Sequence, residues 1–96
     1  MVVNVRLFGM LGILFKERSV ALQMTERATL GDVLTELGKR FGREFMERVF
    51  RVPGEMHSYC QVFVNNNEVD DLDKELETNG SVTEVGMILL MASEGG

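Results

Sequence analysis

The sequence predicts one α+β domain, in which one main helix and a short second helix pack against a mixed sheet of four to five strands. Three patterns predict it: apolar and polar residues alternate over residues 2–8, apolar residues recur every three or four positions over 30–41, and an apolar run fills 87–91. These patterns are typical of a half-buried strand, an amphipathic helix and a buried strand. A chain of 96 residues forms a modest core without needing a disulfide or a metal.

The first two strands are predicted to form a hairpin. Successive side chains on a strand point to opposite faces, so Val3, Val5 and Leu7 point inward over residues 2–8. Gly9 and Gly12 bracket the segment that follows, which we expect to be a loop. The second strand is expected at residues 19–24, with its inward side chains at Val20, Leu22 and Met24.

The main helix is predicted to begin after Thr29 and to end at Gly42. Thr29 and Asp32 have the spacing of a capping box, in which each side chain accepts a hydrogen bond from the other residue's amide. The buried face follows the helical period at Leu30, Val33, Leu34, Leu37 and Phe41. A short second helix is expected at residues 44–50, and Val52-Pro53-Gly54 ends it.

A second hairpin is predicted after the helices. Residues 59–64 form its first strand, Asn65-Asn66-Asn67 gives a turn that tolerates positive φ, and Val69 begins a short return strand. Cys60 lies in the apolar stretch of the first strand, so we expect a buried and inert thiol.

A charged connection at residues 70–77 leads toward the last strand. Leu72 and Leu76 are its only apolar anchors, Asn79-Gly80 marks a turn, and the last strand is expected at residues 87–91. The predicted order is therefore β-β-α-β-β with a final β-strand.

The charged residues are distributed unevenly. Residues 1–51 hold nine Lys or Arg against six Asp or Glu, whereas residues 52–96 hold one against nine. An acidic surface repels nucleic acid and favours a partner with a basic cleft. The alternative is that these acidic residues only occupy solvated turns. We expect no nucleic-acid partner in either case.

Neither a metal site nor a membrane segment is expected. His57 is the only histidine and Cys60 the only cysteine, so a zinc ligand set is missing. The acidic residues at 70–77 lack the glycine and the terminal glutamate of a calcium loop. Asn4 and Arg6 interrupt the first apolar run, and no window is long enough to span a membrane. We expect a cytoplasmic protein without a membrane partner.

Four features together resemble the sulfur-carrier branch of the ubiquitin-like β-grasp proteins. They are the element order, the helix start at Thr29-Leu30-Gly31-Asp32, the start of the second hairpin at Phe63-Val64-Asn65 and the final Gly95-Gly96. The resemblance covers the whole chain, and is nearest to small subunits of molybdopterin synthase, sulfur carriers of cysteine synthesis and archaeal small modifiers. It implies a β-grasp domain over residues 1–91 and a flexible tail over residues 92–96.

The resemblance also implies a chemistry for the tail. In that family a ubiquitin-activating-type enzyme adenylates the C-terminal glycine with ATP, and the glycine then becomes a thiocarboxylate that donates sulfur. Gly96 would carry the reactive carboxyl group, and Gly95 would help the tail thread a narrow channel because it has no Cβ. ATP is used by the partner, so no cofactor is expected on this chain. Residues 91–94 lack the prolines that many members carry there, which leaves the partner's identity open.

Partner recognition is expected from one face of the sheet. Alternation turns Phe8, Phe63 and Leu90 away from the core, together with Ile88. An exposed patch that holds two phenylalanines is typical of an interface. The alternative is that the short second helix covers these side chains.

These features favour a sulfur carrier for molybdopterin synthesis, acting as a non-catalytic subunit beside a molybdopterin-synthase large subunit. The same tail suits a protein modifier that is joined to lysines through an isopeptide bond, or a sulfur carrier for cysteine or thiamine synthesis. A β-grasp binding module with an accidental Gly95-Gly96 ending is the remaining alternative, because a fold alone does not define a function.

Overall fold

The computed structural model describes residues 1–77 and 82–90. Their elements, in chain order, are β1 (Val2–Phe8), α1 (Met10–Phe15), β2 (Ser19–Gln23), α2 (Leu30–Phe41), α3 (Arg43–Val49), β3 (Phe50–Val52), β4 (Glu55–Met56), β5 (Cys60–Val64), β6 (Asn67–Glu68) and β7 (Val82–Leu89). Within these two ranges, no helix has the length and apolar character needed to cross a membrane.

Five strands form one mixed sheet in the order β2-β1-β7-β5-β6. At its centre β1 and β7 run parallel, with Val5 opposite Val85, and β2 and β5 flank them in antiparallel orientation. The last strand of the described chain therefore lies in the middle of the sheet. Strands β3 and β4 pair separately as a small hairpin. The predicted α+β fold with a mixed sheet is confirmed.

The core lies between the sheet and helices α2 and α3. Most of its strand residues are those that the alternation turned inward, and α2 contributes four residues of its predicted apolar stripe. Leu22, Met24 and Phe41, which were also expected to be buried, are only partly buried against it. Phe45 of α3 has no exposed surface, and its ring centroid lies 5.6 Å from those of Phe15 and Phe41. Each fully buried side chain of this size contributes roughly 1.5–3 kcal/mol to folding. The described core consists of Val3, Val5, Leu7, Leu11, Val20, Leu30, Val33, Leu34, Leu37, Phe45, Val49, Cys60, Val62, Val64, Leu76, Val85, Met87 and Leu89.

Local hydrogen bonds fix the start of α2. The Thr29 hydroxyl oxygen accepts from the Asp32 amide at 3.1 Å, and the Asp32 carboxylate accepts from the Thr29 amide at 3.0 Å. The capping box is thus confirmed. The first two amides of the helix donate to the backbone carbonyls of Lys74 and Leu72. The charged connection at residues 70–77 therefore satisfies helix-end donors that have no partner within the helix.

Helix α3 follows α2 directly. Gly42 lies between them with a φ of 88°, a left-handed conformation that glycine adopts without steric cost. The helices approach closely where they meet, because a Cβ on Gly38 would overlap the Met46 side chain. The predicted short second helix is confirmed at Arg43–Val49, whereas Phe50 belongs to β3.

The segment between β1 and β2 is a helix, so the prediction of a loop there is wrong. Helix α1 buries Leu11 completely against the core. A Cβ on Gly12 would stand 2.8 Å from the Leu7 carbonyl oxygen, so this glycine permits the close approach of α1 to β1. Gly12 serves packing rather than a turn, which is why the spacing of Gly9 and Gly12 was misleading.

Strand boundaries in the second half also differ from the prediction. Val52-Pro53-Gly54 joins β3 to β4 as a hairpin, and the return strand β6 begins at Asn67 instead of Val69. Asn65 and Asn66 have positive φ angles of 49° and 72°, which confirms the predicted turn.

Strand β7 begins at Val82, five positions before the predicted start at Met87. The sequence did not indicate this longer strand because Thr83, a polar residue, occupies one of its inward positions and is fully buried. Its hydroxyl donates to the Glu77 carbonyl oxygen at 3.1 Å, so a polar residue is accommodated in the core. Asn79-Gly80, Met91 and residues 92–96 lie outside the described residues.

Candidate functional site

The outer face of the sheet, opposite α2, carries the residues predicted to contact a partner. Phe8 is 45 % exposed and Leu90 is 44 % exposed, while Phe63 and Ile88 are partly exposed. We call these four residues the outer-face patch. Helix α3 packs Phe45 into the core on the other side of the sheet, so the alternative in which α3 covers the patch is wrong. Contact with a partner stays a prediction.

Strand register makes the patch continuous. Phe8 on β1 lies opposite Ile88 on β7, and Phe63 on β5 lies opposite Gly86 on β7. Neighbouring strands are about 4.8 Å apart, so the aromatic side chains flank the middle strand from both sides. Phe8, Ile88 and Phe63 thus form one apolar surface across β1, β7 and β5.

The patch lies at the end of the sheet from which the C-terminal segment continues. The Leu90 amide still donates to the Tyr59 carbonyl at 2.7 Å, which holds this residue beside β5. The opposite end of the outer face is polar, and Asn4 Nδ2 donates to Glu84 Oε1 there at 3.1 Å. Gly95-Gly96, the predicted reactive ending, lies outside the described residues.

A glycine in the middle strand gives the patch its shape. A Cβ on Gly86 would stand 3.0 Å from Cε2 of Phe8, so the Phe8 ring occupies the space that another side chain would take. Phe8, Phe63 and Gly86 line a depression of about 670 Å³, together with Arg6 and Glu84. The Phe8 ring can therefore take this position because Gly86 has no side chain.

The substitution Gly86→Ala is expected to weaken partner binding about fivefold without lowering stability. Alanine costs about 0.5 kcal/mol less than glycine within a strand, so the melting temperature should stay constant or rise. The new methyl group would stand 3.0 Å from Cε2 of Phe8, so the ring must shift by a few tenths of an ångström. Titration calorimetry with the activating enzyme and thermal unfolding measure the two effects.

Val82→Ala is the matched control, because Val82 lies on the same strand and is 36 % exposed but is outside the patch. Its affinity for the activating enzyme should equal that of the unaltered protein. Unchanged affinity of Gly86→Ala, or a fall of several degrees in its melting temperature, would contradict this role for Gly86.

Cys60 and His57 contribute to packing in this structure: the thiol is buried and the imidazole ring stacks on a neighbouring ring. Burial raises the pKa of the Cys60 thiol to about 11, so the thiol stays protonated at neutral pH and is a poor nucleophile. The His57 ring stacks on Tyr59, with centroids 4.5 Å apart and planes 11° apart. The expected burial of Cys60 is confirmed, and its raised pKa agrees with the prediction of an inert thiol.

Metal ligands do not cluster in residues 1–77 and 82–90, where no three His, Cys, Asp or Glu side chains come together in a suitable group. In the acidic connection, Asp71 Oδ1 accepts from the Asp73 amide at 3.0 Å, which is a local turn. The connection also caps α2, as described above. The contacts observed in this connection thus stabilise the fold.

The most exposed large apolar residue of residues 1–77 and 82–90 was not predicted from the sequence. Ile13 on α1 is 73 % exposed, and it was assigned to a loop. The available signal was the apolar spacing of Met10, Leu11, Leu14 and Phe15, which fits a helix turn with Ile13 on the opposite side.

The fold is shared with known structures, although no protein-family model and no curated protein matches the chain. SAMP1 from Haloferax volcanii has 22 % identity and a TM-score of 0.80, over 98 % of this chain and 100 % of its own. A candidate molybdopterin converting factor subunit 1 from Pyrococcus furiosus has 26 % identity and a TM-score of 0.74, over 95 % and 99 %. A chain of the BexX/CysO complex from Amycolatopsis orientalis has 19 % identity and a TM-score of 0.72, over 96 % and 99 %.

The chain therefore has the ubiquitin-like β-grasp fold, as its sequence resemblance predicted. The structures it matches include a small archaeal modifier and a candidate molybdopterin converting factor subunit. The predicted resemblance is thus confirmed at the level of the fold.

Proposed function

We propose that this chain is a sulfur carrier that works through the carboxyl group of Gly96. The observation that carries the proposal is the Gly95-Gly96 pair placed shortly after the central strand of a ubiquitin-like β-grasp fold. Gly96 is the seventh residue after Leu89, where β7 ends. Seven extended residues span at most about 25 Å, enough to reach from the outer-face patch into a recessed site of a partner.

The proposed chemistry uses a partner enzyme and ATP. A carboxylate is a poor electrophile, so the Gly96 carboxylate first attacks the α-phosphate of ATP, forming an acyl-adenylate and releasing pyrophosphate. Hydrosulfide then attacks the acyl carbon, the bond between that carbon and the AMP oxygen breaks, and AMP leaves. Loss of the remaining S–H proton gives the thiocarboxylate with no change of oxidation state. The carrier supplies no catalytic side chain. Its glycines let the backbone approach the phosphate closely because they have no Cβ.

Molybdopterin synthesis is the proposed pathway. The match to a candidate molybdopterin converting factor subunit supports it, because it covers nearly all of both chains. In this pathway the thiocarboxylate would deliver sulfur to a pterin precursor within a complex with a large subunit. The adenylating enzyme is then the first partner and the molybdopterin-synthase large subunit is the second.

A protein modifier is the second candidate function. The match to SAMP1, with a TM-score of 0.80, favours it. A lysine amine would attack the activated Gly96 in place of sulfur and form an isopeptide bond. Both functions require the same tail and the same activation step. A sulfur carrier for cysteine or thiamine synthesis is a further alternative.

One experiment with the activated protein distinguishes between these functions. The chain is incubated with ATP, the adenylating enzyme of its own organism and a sulfide source, and is then given either the pterin precursor with the large subunit or a cell extract. Conversion of the pterin supports the molybdopterin pathway. Lysine conjugates on a denaturing gel support the modifier. Full biological function after removal of Gly95-Gly96 would contradict both and leave an inert binding module.

A further inference from the structure

The most exposed large apolar residue of the described chain stands beside three cations that have no ion-pair partner among residues 1–77 and 82–90. Ile13 is 73 % exposed and Phe8 is 45 % exposed. Both line one depression of about 870 Å³ with Arg6, Lys16 and Arg18. We call these five residues the α1 shoulder. It adjoins the outer-face patch, with which it shares Phe8.

The fold holds the α1 shoulder in place. The Leu7 amide donates to the Arg18 carbonyl at 2.9 Å, which fixes the start of β2 against β1. Lys16 ends α1 in the left-handed conformation, with φ 59° and ψ 31°. Leu11 anchors the helix in the core and has no exposed surface. The exposed Ile13 is therefore presented from an anchored helix.

The charge of the α1 shoulder is opposite to that of the whole chain. Arg6, Lys16 and Arg18 are exposed, and none of them takes part in the ion pairs of the described residues. Glu17 lines the same depression, but Arg40 pairs with it at 3.3 Å. The net charge of the chain is −5, yet this region is cationic.

We propose that the α1 shoulder binds an acidic surface of the adenylating enzyme, on which carboxylates surround an apolar side chain that packs between Phe8 and Ile13. Unpaired cations around an apolar centre complement such a surface in both charge and hydrophobicity. This assignment rests on the proposed function, because the adenylating enzyme is a partner only if the chain is activated through Gly96. It also differs from the basic cleft that the overall acidity predicted.

The test measures the affinity of the full chain for the adenylating enzyme of the same organism, without ATP. Ile13→Asp and the pair Lys16→Glu with Arg18→Glu should each weaken binding about tenfold or more, as loss of interface anchors typically does. Ile13→Gln is measured beside Ile13→Asp, and should weaken binding less while keeping the melting temperature. The charge-reversed pair should also reduce the salt dependence of the affinity.

Matched controls separate this inference from the proposed function. Arg43→Glu reverses an exposed cation on α3, and Val52→Asp places a charge on an apolar residue that is 44 % exposed, so both should bind normally. If the Ile13 variants and the charge-reversed pair bind normally while Leu90→Asp binds weakly, the α1 shoulder does not bind the adenylating enzyme, and the outer-face patch still does. Normal binding by all of these variants would contradict the outer-face patch as well.

Binding of either of two other occupants to the α1 shoulder would overturn the proposal. A second copy of the chain would appear as a dimer in sedimentation that the charge-reversed pair dissociates. A lipid surface would appear as binding to anionic vesicles that Ile13→Asp abolishes. Binding to the adenylating enzyme that depends on Ile13, with neither of these effects, supports the proposal.

Discussion

Gly96→Val should abolish adenylation of the tail and leave folding unchanged. A branched side chain at the reacting residue would collide with the narrow channel of the partner and displace the acyl carbon. A misplacement of about 1 Å at a reacting centre can lower the rate about 100-fold, so we expect at least that loss. ATP–pyrophosphate exchange catalysed by the activating enzyme measures the effect, and thermal unfolding measures stability.

Ser93→Val is the control for this variant, because it adds a similar branched side chain in the same segment but three positions earlier. It should retain most of the exchange rate. Full activation of Gly96→Val would show that the partner does not enclose the last residue. The proposed role of the glycine ending would then be wrong.

Phe8→Asp should weaken binding to the activating enzyme by about 30-fold or more. Phe8 is 45 % exposed and belongs to both the outer-face patch and the α1 shoulder, so a charge there disrupts the apolar centre of the predicted interface. Removing a central aromatic anchor typically costs about 2 kcal/mol or more of binding free energy. Surface substitutions usually change folding stability by less than about 0.5 kcal/mol, so the melting temperature should change little.

The control for Phe8→Asp is Val52→Asp, which charges a side chain of nearly equal exposure, 44 %, on the separate β3–β4 hairpin. Its affinity should match that of the unaltered protein. A large loss of stability in Phe8→Asp would show that the contact between the Phe8 ring and Gly86 contributes mainly to folding. The interface would then need to be sought elsewhere.

The parts of the fold that sequence predicts well are those governed by local rules. Residues 2–8 alternate regularly, and β1 occupies Val2–Phe8 as predicted. The Thr29 and Asp32 capping box sets the start of α2, and Gly42 sets its end. The outward orientation of Phe8 and Leu90 follows from the same alternation. In each case neighbouring residues alone decide the outcome.

The parts that sequence missed depend on contacts between distant segments. Helix α1 is stabilised by burial of Leu11 and by the close approach of Gly12 to the Leu7 carbonyl, and neither is visible in six residues of sequence. The start of β7 depends on pairing with β1 and on the hydrogen bond from Thr83 to the Glu77 carbonyl. Tertiary pairing here overrides local pattern.

The local distribution of surface charge also depends on the fold, and the expected partner with a basic cleft stays a prediction. Counting charges over halves of the chain predicted a partner with a basic cleft, because residues 52–96 are strongly acidic. The folded chain brings Arg6 of β1 together with Lys16 and Arg18, on either side of an apolar centre. Local charge around a candidate interface follows from which segments meet, so it is defined only once the fold is known.

The most direct test of the central claim is the intact mass of the protein, purified from its own host without reducing agents or acid. The account predicts a species in which sulfur replaces one oxygen of the Gly96 carboxyl group, and fragmentation should place the sulfur on that residue. A protein found only as the free acid would contradict the sulfur-carrier function, and lysine conjugates found beside that free acid would favour the modifier.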